Sequence, residues 1–103
     1  MQKLIVKGNV AVLISAGYGA GWSTWARENA EEMVFDPDIA KAILDNDFAK
    51  AQTIAKAKYP DQYLGGLDDL VVGFVPIGTR FEINEYDGHE TLRILSPATG
   101  FVA

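Results

Sequence analysis

The sequence predicts an α+β fold in which an antiparallel sheet, in the order ββ-α-α-βββ, packs with a short helical pair. Three observations predict it: β-branched apolar runs lie towards both ends of the chain, helical spacing follows Asp-Pro-Asp at 36–38, and Asp-Gly at 87–88 separates the last two runs. Strands and helices that are segregated along a chain are typical of this class. At 103 residues, the chain is expected to form a single domain over 1–103.

The N-terminal part of the chain predicts a β-hairpin followed by a short helix. Residues 4–6 and 10–14 are apolar and rich in β-branched side chains, and Gly8-Asn9 lies between them. Two such runs around a Gly-Asn pair are typical of a hairpin with a tight turn. Beyond the loop that follows, we expect a short helix over 25–33 and an extended piece at 34–35.

Two helices are predicted in the middle of the chain. Asp36 can cap the first helix, and Pro37 suits its first position. Asp47 can cap the second, which is expected over 48–58 and ends before Pro60. Apolar side chains recur three or four residues apart in both segments, so each helix has an apolar stripe. Helices this short require packing against each other or against a sheet.

Three strands are predicted in the C-terminal part of the chain. The run 70–75 is apolar, 80–86 alternates between apolar and polar side chains, and 89–95 returns after the turn. The Asp-Gly pair at 87–88 favours a two-residue turn because both of its residues accept a positive φ. The tail from residue 96 onward is expected to be loose.

Composition excludes several classes of function. The chain has no cysteine and one histidine, so disulfides and thiolate sites are excluded, and neither a metal nor a cofactor is expected. A net charge of −5 argues against nucleic-acid binding. The sequence contains no apolar run long enough to cross a membrane and no recognisable signal peptide, so a cytoplasmic protein is expected.

Acidic side chains cluster in two places. Seven lie between residues 27 and 47, where only two residues are basic. We interpret this cluster as a solvated helical face, with an acidic interaction surface as the alternative. Glu85, Asp87 and Glu90 crowd the predicted hairpin tip, and we interpret them as solvated because their spacing matches no calcium-binding loop.

The segment from Gly17 to Trp25, which we call the Gly/Trp loop, is the candidate functional loop. Alternating glycines are followed by the only two tryptophans of the chain, which bracket Ser23 and Thr24. A dinucleotide-binding loop needs Gly-x-Gly-x-x-Gly within a β-α-β unit, and a phosphate-binding loop needs Gly-Lys-Ser/Thr; the sequence has neither. His89 lies beside the predicted turn with nothing nearby to orient it, so a catalytic triad is not indicated.

Two interpretations of the Gly/Trp loop stay open. In the first, aromatic rings stack on a planar ligand, loop amides and hydroxyls bind its polar atoms, and arginines supply charge. In the second, the two tryptophans plug the end of the sheet and the glycines let the chain pass. The candidate ligand-binding residues are Tyr18, Gly19, Gly21, Trp22, Ser23, Thr24, Trp25, Arg27 and Arg80.

Four segments of the chain resemble small uncharacterised proteins encoded by bacteriophages. They are the Gly/Trp loop, Phe-Asp-Pro at 35–37, Val-Pro-x-Gly-Thr-Arg-Phe at 75–81 and Glu-Tyr-Asp-Gly at 85–88. The resemblance covers most of the chain, and the loop is its most specific part. It implies expression inside a bacterial cell and binding to a host protein or a host nucleotide. It implies no activity, cofactor or catalytic residue.

The sequence therefore predicts a non-enzymatic, phage-type accessory protein that binds a small, nucleotide-like ligand at the Gly/Trp loop. The alternative is a protein-interaction module, either a host-factor inhibitor or an oligomeric structural protein, that uses its acidic face or its tryptophan patch. The expected partner is a small molecule, a host protein or a second copy of the chain, and neither nucleic acid nor a membrane. An enzyme is less favoured, because folding would have to assemble Asp68, Asp69, Glu85, His89 and Ser23.

Overall fold

The computed structural model describes residues 2–94 and 100–103 of the chain. Within them, strands and helices follow one another in nearly the order that the sequence indicates, and the α+β fold class is confirmed. The strands are β1 (Ile5–Val6), β2 (Asn9–Ser15), β3 (Leu70–Pro76), β4 (Arg80–Tyr86), β5 (His89–Ile94) and β6 (Phe101–Val102). The helices are α1 (Ala30–Phe35), α2 (Pro37–Leu44) and α3 (Phe48–Lys58), and 3₁₀ turns span Ser23–Trp25 and Gly65–Asp69.

The described strands form two antiparallel sheets instead of one. The central sheet has the order β1-β2-β3, and the hairpin sheet has the order β5-β4-β6. The physical reason lies in β2, whose residues 10–13 are all buried, so that both of its faces need cover. Ala11 and Leu13 pack with the helices, whereas Val10 and Val12 pack with the hairpin sheet. The central sheet is therefore the middle of three layers.

Helix α1 contributes side chains to the two apolar cores that lie on either side of the central sheet. Met33 packs with the residues on the helix side of the central sheet, whereas Val34 and Phe35 pack with the hairpin sheet. Consecutive helical residues point about 100° apart, so one helical turn divides its side chains in this way. The expected helix over 25–33 and the extended piece after it were wrong, because α1 begins at Ala30 and includes both later residues.

The predicted caps of α2 and α3 are confirmed. The Asp36 carboxylate accepts hydrogen bonds from the backbone N–H groups of Asp38, at 3.1 Å, and Ile39, at 3.0 Å. The Asp47 carboxylate accepts one from the N–H of Lys50 at 3.1 Å. Among the described residues, no helix combines the length and the apolar composition that a membrane-crossing helix needs.

Both predicted hairpins are observed, one of them shifted by a residue. Asp87 and Gly88 have φ angles of 48° and 85°, as a type I′ turn requires. In the first hairpin, the turn residues are Lys7 and Gly8, with φ angles of 51° and 80°, and Asn9 already belongs to β2.

The C-terminal end of the chain belongs to the hairpin sheet. Phe101 pairs with Phe81 of β4, with 5.5 Å between their ring centroids, and Ala103 is buried. The expectation of a loose tail was therefore wrong for residues 100–103, because Phe101 gains apolar contacts there. The expectations for residues 95–99 lie outside the described residues.

Candidate functional site

The Gly/Trp loop lies against the tip of the β4–β5 hairpin. The backbone N–H of Gly19 donates to the Asp87 carbonyl at 2.5 Å, and Nδ1 of His89 donates to the Ala16 carbonyl at 2.8 Å. Gly88 has a positive φ, and a Cβ atom there would collide with the backbone of Ala20. Only glycine allows this approach, so loop and hairpin tip form one packed unit.

Glu90 of β5 lies inside this unit with 1% of its surface exposed. Its Oε1 accepts a hydrogen bond from the N–H of Ser15 at 2.9 Å. Its Oε2 accepts from the N–H of Trp22 at 2.9 Å, from the N–H of Thr24 at 3.1 Å and from the Thr24 hydroxyl at 2.5 Å. The buried carboxylate is thus paired with donors on both oxygens, as a buried charge requires.

Two of the loop N–H groups that were expected to bind an external anion, those of Trp22 and Thr24, bond to this internal carboxylate, and the N–H of Gly19 bonds to the Asp87 carbonyl. The interpretation of Glu90 as a solvated hairpin-tip residue was wrong, whereas Glu85 and Asp87 are exposed. The alternation of inward and outward side chains along the hairpin could have indicated that Glu90 points inward. Glu90 pairs with Glu85, which shares a face of β4 with the buried Phe81, and a carboxylate on an inward face indicates bound donors.

Trp22 is part of the helix-side core. Its side chain has 0% of its surface exposed, and its Nε1 donates to the Met33 carbonyl at 2.8 Å. The rings of Trp22 and Tyr59 are nearly perpendicular, with 6.3 Å between their centroids. Ser23 beside it is also buried. Trp22 therefore matches the second interpretation, in which the tryptophans plug the end of the sheet. It has no face open to a ligand.

Trp25 lies at the surface with 38% of its area exposed. Its ring stacks on Tyr63, with 5.9 Å between the centroids, and its Nε1 donates to Oε2 of Glu85 at 3.1 Å. The same Glu85 oxygen accepts the N–H of Gly88 at 2.7 Å. These hydrogen bonds, that from Gly88 first and that from Trp25 second, lower the pKa of Glu85 below its ordinary value. Sequence reasoning did not single out Tyr63, since nothing beyond its aromatic type marks it.

Tyr18 stacks on His89, with 4.8 Å between the ring centroids and 15° between the planes. Because a carbonyl oxygen only accepts, the bond to Ala16 places the proton of a neutral His89 on Nδ1. Tyr86 pairs with His89 across the hairpin. Around the hairpin tip, Tyr18, Tyr63 and Tyr86 are 67%, 59% and 78% exposed. We call the set Tyr18, Trp25, Tyr63, Tyr86 and His89 the aromatic rim.

The remaining candidate residues are distributed differently. Gly19 has open space around it, whereas Gly21 is buried beneath Thr24 and Trp25. Arg27 is exposed near the rim, and its N–H donates to Gln62 at 3.3 Å. Arg80 is the first residue of β4 and so lies at the far end of the strand from the hairpin tip, about 20 Å away. The fold does not bring Arg80 to the Gly/Trp loop.

A second polar cluster joins the start of α2 to the end of α3. The buried Asp36 carboxylate accepts from the Tyr59 hydroxyl at 2.8 Å and from Nζ of Lys58 at 3.1 Å. A cavity of about 460 Å³ opens beside it, and a second cavity of about 410 Å³ lies between α2 and α3. Neither is lined by the Gly/Trp loop, and the described residues contain no group of three side chains placed to hold a metal ion.

The surroundings of His89, the histidine of the chain, fix the orientation of its ring: Nδ1 donates to the Ala16 carbonyl, and one face of the ring is covered by Tyr18. Comparisons with protein-family models, with curated proteins and with solved structures found no match to this chain.

Proposed function

We propose that this protein acts by binding another protein through the aromatic rim. The observation that carries the proposal is the concentration of exposed tyrosine and tryptophan rings around one hairpin tip. Tyrosine and tryptophan are enriched in protein interfaces and among the residues that dominate binding energy. Rings of this size supply a large contact area at a small cost in side-chain entropy.

Four of the five rim residues are held in place before any partner binds: Tyr18, Trp25, Tyr63 and His89. Trp25 is fixed by its stack on Tyr63 and by its hydrogen bond to Glu85, and Tyr18 is fixed by its stack on His89. Side chains that are already ordered lose little conformational freedom on association. Beneath Trp25, the hydrogen bonds from Trp22 and Thr24 to Glu90 tie the loop to the hairpin and so restrict the movement of one against the other.

The charge around the rim indicates the chemistry of the partner. The exposed carboxylates of Glu85 and Asp87 lie at the hairpin tip, and the whole chain has a net charge of −5. Arginine and lysine side chains bind both to carboxylates and to the faces of aromatic rings. We therefore propose a basic protein surface as the partner, approached with electrostatic steering.

The nucleotide-like ligand remains the alternative proposal. Trp22 is buried and the N–H groups of Trp22 and Thr24 are bonded to Glu90, so Tyr18 and Trp25 are the loop rings left for stacking. An anionic ligand there would meet the exposed carboxylates of Glu85 and Asp87, which repel it, and Arg27 would be the candidate arginine near enough to attract it. That the protein is of the phage type and acts inside a bacterial cell also remains a proposal. It favours a host protein as readily as a host nucleotide.

Substitution of two rim residues tests the function. We expect Tyr18→Ala combined with Trp25→Ala to weaken binding of a protein captured from a bacterial lysate at least tenfold, because central aromatic side chains dominate interfaces. Calorimetric titration of the captured, purified partner measures the change. Phe48→Ala is the matched control, since it removes an exposed aromatic ring from α3, and it should bind as the wild type does.

Full binding by the double variant would remove the rim from the interface. A panel of nucleotides, titrated while tryptophan fluorescence is followed, separates the two proposals. A nucleotide that binds the wild type and not the double variant would favour the small-ligand function over the protein partner.

A further inference from the structure

Helices α2 and α3 border the cavity of about 410 Å³, which we call the helix groove. The two helices run antiparallel, because Asp38 at the start of α2 forms an ion pair with Lys58 at the end of α3, at 2.8 Å. Both residues of this ion pair line the groove. The ion pair therefore marks the end of the groove that lies away from the connection between the helices.

Aliphatic groups line the groove between its two ends. They come from Ala42 of α2 and from Thr53, Ile54 and Ala57 of α3. The hydroxyl of Thr53 already donates to the Ala49 carbonyl at 3.0 Å, so it needs no ligand. The described side chains around the groove include no aromatic ring. An aliphatic chain fits this lining better than a planar base, which needs rings to stack on and polar groups to bind its edge.

Three lysines line the groove, although the chain as a whole has a net charge of −5. Lys58 is paired with Asp38, and Lys41 is paired with Asp45 at 3.3 Å. Lys50 forms no ion pair within the described part of the chain. Its ammonium group therefore leaves one positive charge at the groove for a negatively charged ligand.

The two ends of the groove differ in charge. Lys41 and Lys50 lie near the connection between the helices, since Lys50 is the third residue of α3. The Asp47 carboxylate in this connection is engaged by the backbone N–H of Lys50 at 3.1 Å and does not line the groove. Asp38 at the opposite end repels an anion. An acidic head group therefore fits at Lys50, with its chain directed towards Ala57.

The size of the groove indicates a small molecule. Its volume lies within the range of small-molecule pockets. Along α3, the distance from Lys50 to Ala57 is about 10 Å, because each helical residue adds 1.5 Å. An extended chain of about eight carbon atoms covers this distance, since each carbon atom advances it by about 1.25 Å. A bound helix, about 10 Å wide with its side chains, would extend well beyond the groove.

We propose that the helix groove binds an aliphatic carboxylic acid of medium chain length, with its carboxylate on the ammonium group of Lys50 and its chain along Ile54 and Ala57. The chain leaves water for an aliphatic lining, and the charged head stays at the surface beside a cation. The site is separate from the aromatic rim, since no rim residue lines the groove.

Octanoate is the probe, because its chain matches the length of the groove. Calorimetric titration of the full-length chain should show one octanoate bound per chain. Lys50→Gln should weaken binding about fivefold, the loss expected for an exposed ion pair. Ala57→Trp, which fills the groove with a large side chain, should weaken binding about tenfold or more. Circular dichroism checks that both variants are folded.

The matched control is Lys56→Gln, which removes the charge of an exposed lysine on the same helix but outside the groove. This variant should bind octanoate as the wild type does. Octan-1-ol keeps the chain without the charge, and acetate keeps the charge without the chain, so both should bind more weakly than octanoate. In amide NMR spectra, octanoate should shift the resonances of Ala42, Ile54 and Ala57 more than those of the aromatic rim.

Absence of octanoate binding, binding that Lys50→Gln and Ala57→Trp leave unchanged, or equal binding of octan-1-ol would overturn the proposal. Tighter binding of an acidic helical peptide at the groove would also overturn it, in favour of a protein segment as the occupant. The rim variant that combines Tyr18→Ala with Trp25→Ala should bind octanoate as the wild type does. Failure of the groove and failure of the rim as binding surfaces are therefore separate results.

Discussion

At the scale of single residues, Glu90 explains why the Gly/Trp loop has its conformation. Its carboxylate accepts hydrogen bonds from Ser15 at the end of β2 and from Trp22 and Thr24 in the loop. These residues are 66 to 75 positions away in the chain. The backbone N–H groups of Ser15, Trp22 and Thr24 converge as they do around a bound anion, and here a side chain of the protein itself takes that place.

Glu90→Gln should destabilise the protein by about 1–3 kcal/mol, because the neutral amide weakens charge-assisted bonds and turns a donor towards other donors. Thermal and urea unfolding measure the loss. Glu82→Gln on β4 is the matched control: its carboxylate makes a surface ion pair with Arg93 at 3.8 Å, and such pairs contribute little. Equal losses from the two variants would contradict the assigned role of Glu90.

The two tryptophans show what local sequence could and could not specify. Their spacing and their glycine-rich neighbourhood correctly marked an unusual loop, but Trp22 lies in the core and Trp25 at the surface. The carbonyl of Met33 and the carboxylate of Glu85, the two acceptors that distinguish the indoles, come from other elements. Periodicity within the loop does not encode such partners.

At the scale of elements, Asp36 joins the start of α2 to the end of α3. The carboxylate caps α2 and also accepts from Lys58 and Tyr59. Burial and the hydrogen bond to Asp36 raise the pKa of Tyr59 above its ordinary value. Burial acts to lower the pKa of Lys58, but its hydrogen bonds to Asp38 and Asp36 outweigh burial, and the net pKa is raised.

These shifts predict a loss of stability at alkaline pH. A group with a raised folded-state pKa contributes stability that is complete below its unfolded pKa, about 10 for tyrosine, and is lost as the pH rises from there towards the folded pKa. The free energy of unfolding of the wild type should therefore fall above about pH 10. Tyr59→Phe should be less stable at neutral pH by about 1 kcal/mol but should fall less steeply.

Urea unfolding at a series of pH values measures both slopes. Tyr86→Phe is the matched control, since it removes a hydroxyl from an exposed ring outside the α2–α3 junction. Identical alkaline slopes in the wild type and in Tyr59→Phe would show that Tyr59 does not contribute to the decline.

At the scale of the whole molecule, stability depends on the contact between the central sheet and the hairpin sheet. Phe81 of β4 is fully buried there, and its ring meets Phe35 of α1 and Phe101 of β6 at centroid distances of 5.8 and 5.5 Å. Three elements that are distant in the chain thus converge on one ring. Leu92 of β5 packs into the same core.

Phe81→Ala should cost about 3–5 kcal/mol, because it removes buried apolar area and leaves a cavity. A domain of this size has a total stability of about 5–15 kcal/mol, so the variant should be marginally folded. Thermal unfolding followed by circular dichroism gives the change. Phe48→Ala, at an exposed phenylalanine, should cost much less, and a comparable loss there would contradict the layered core.

Patterns among residues close together in the chain were sufficient to predict the helix caps at Asp36 and Asp47, the strand at 80–86 and the Asp-Gly turn. Each depends on residues within about four positions, whose preferences survive in any context. The order of elements, and with it the α+β class, followed from these signals and from apolar periodicity.

The division into two sheets, the burial of Glu90 and the opposite environments of Trp22 and Trp25 arose only when distant segments packed. Each depends on contacts between elements that are distant in the chain. Helix α1 packs into the cores on both sides of the central sheet, the hairpin tip bonds to the Gly/Trp loop, and β6 pairs with β4. Which face of a strand needs cover, and which carboxylate meets which amide, depends on what lies across the core. A linear pattern of residues does not carry that information, because packing brings together residues far apart in the chain.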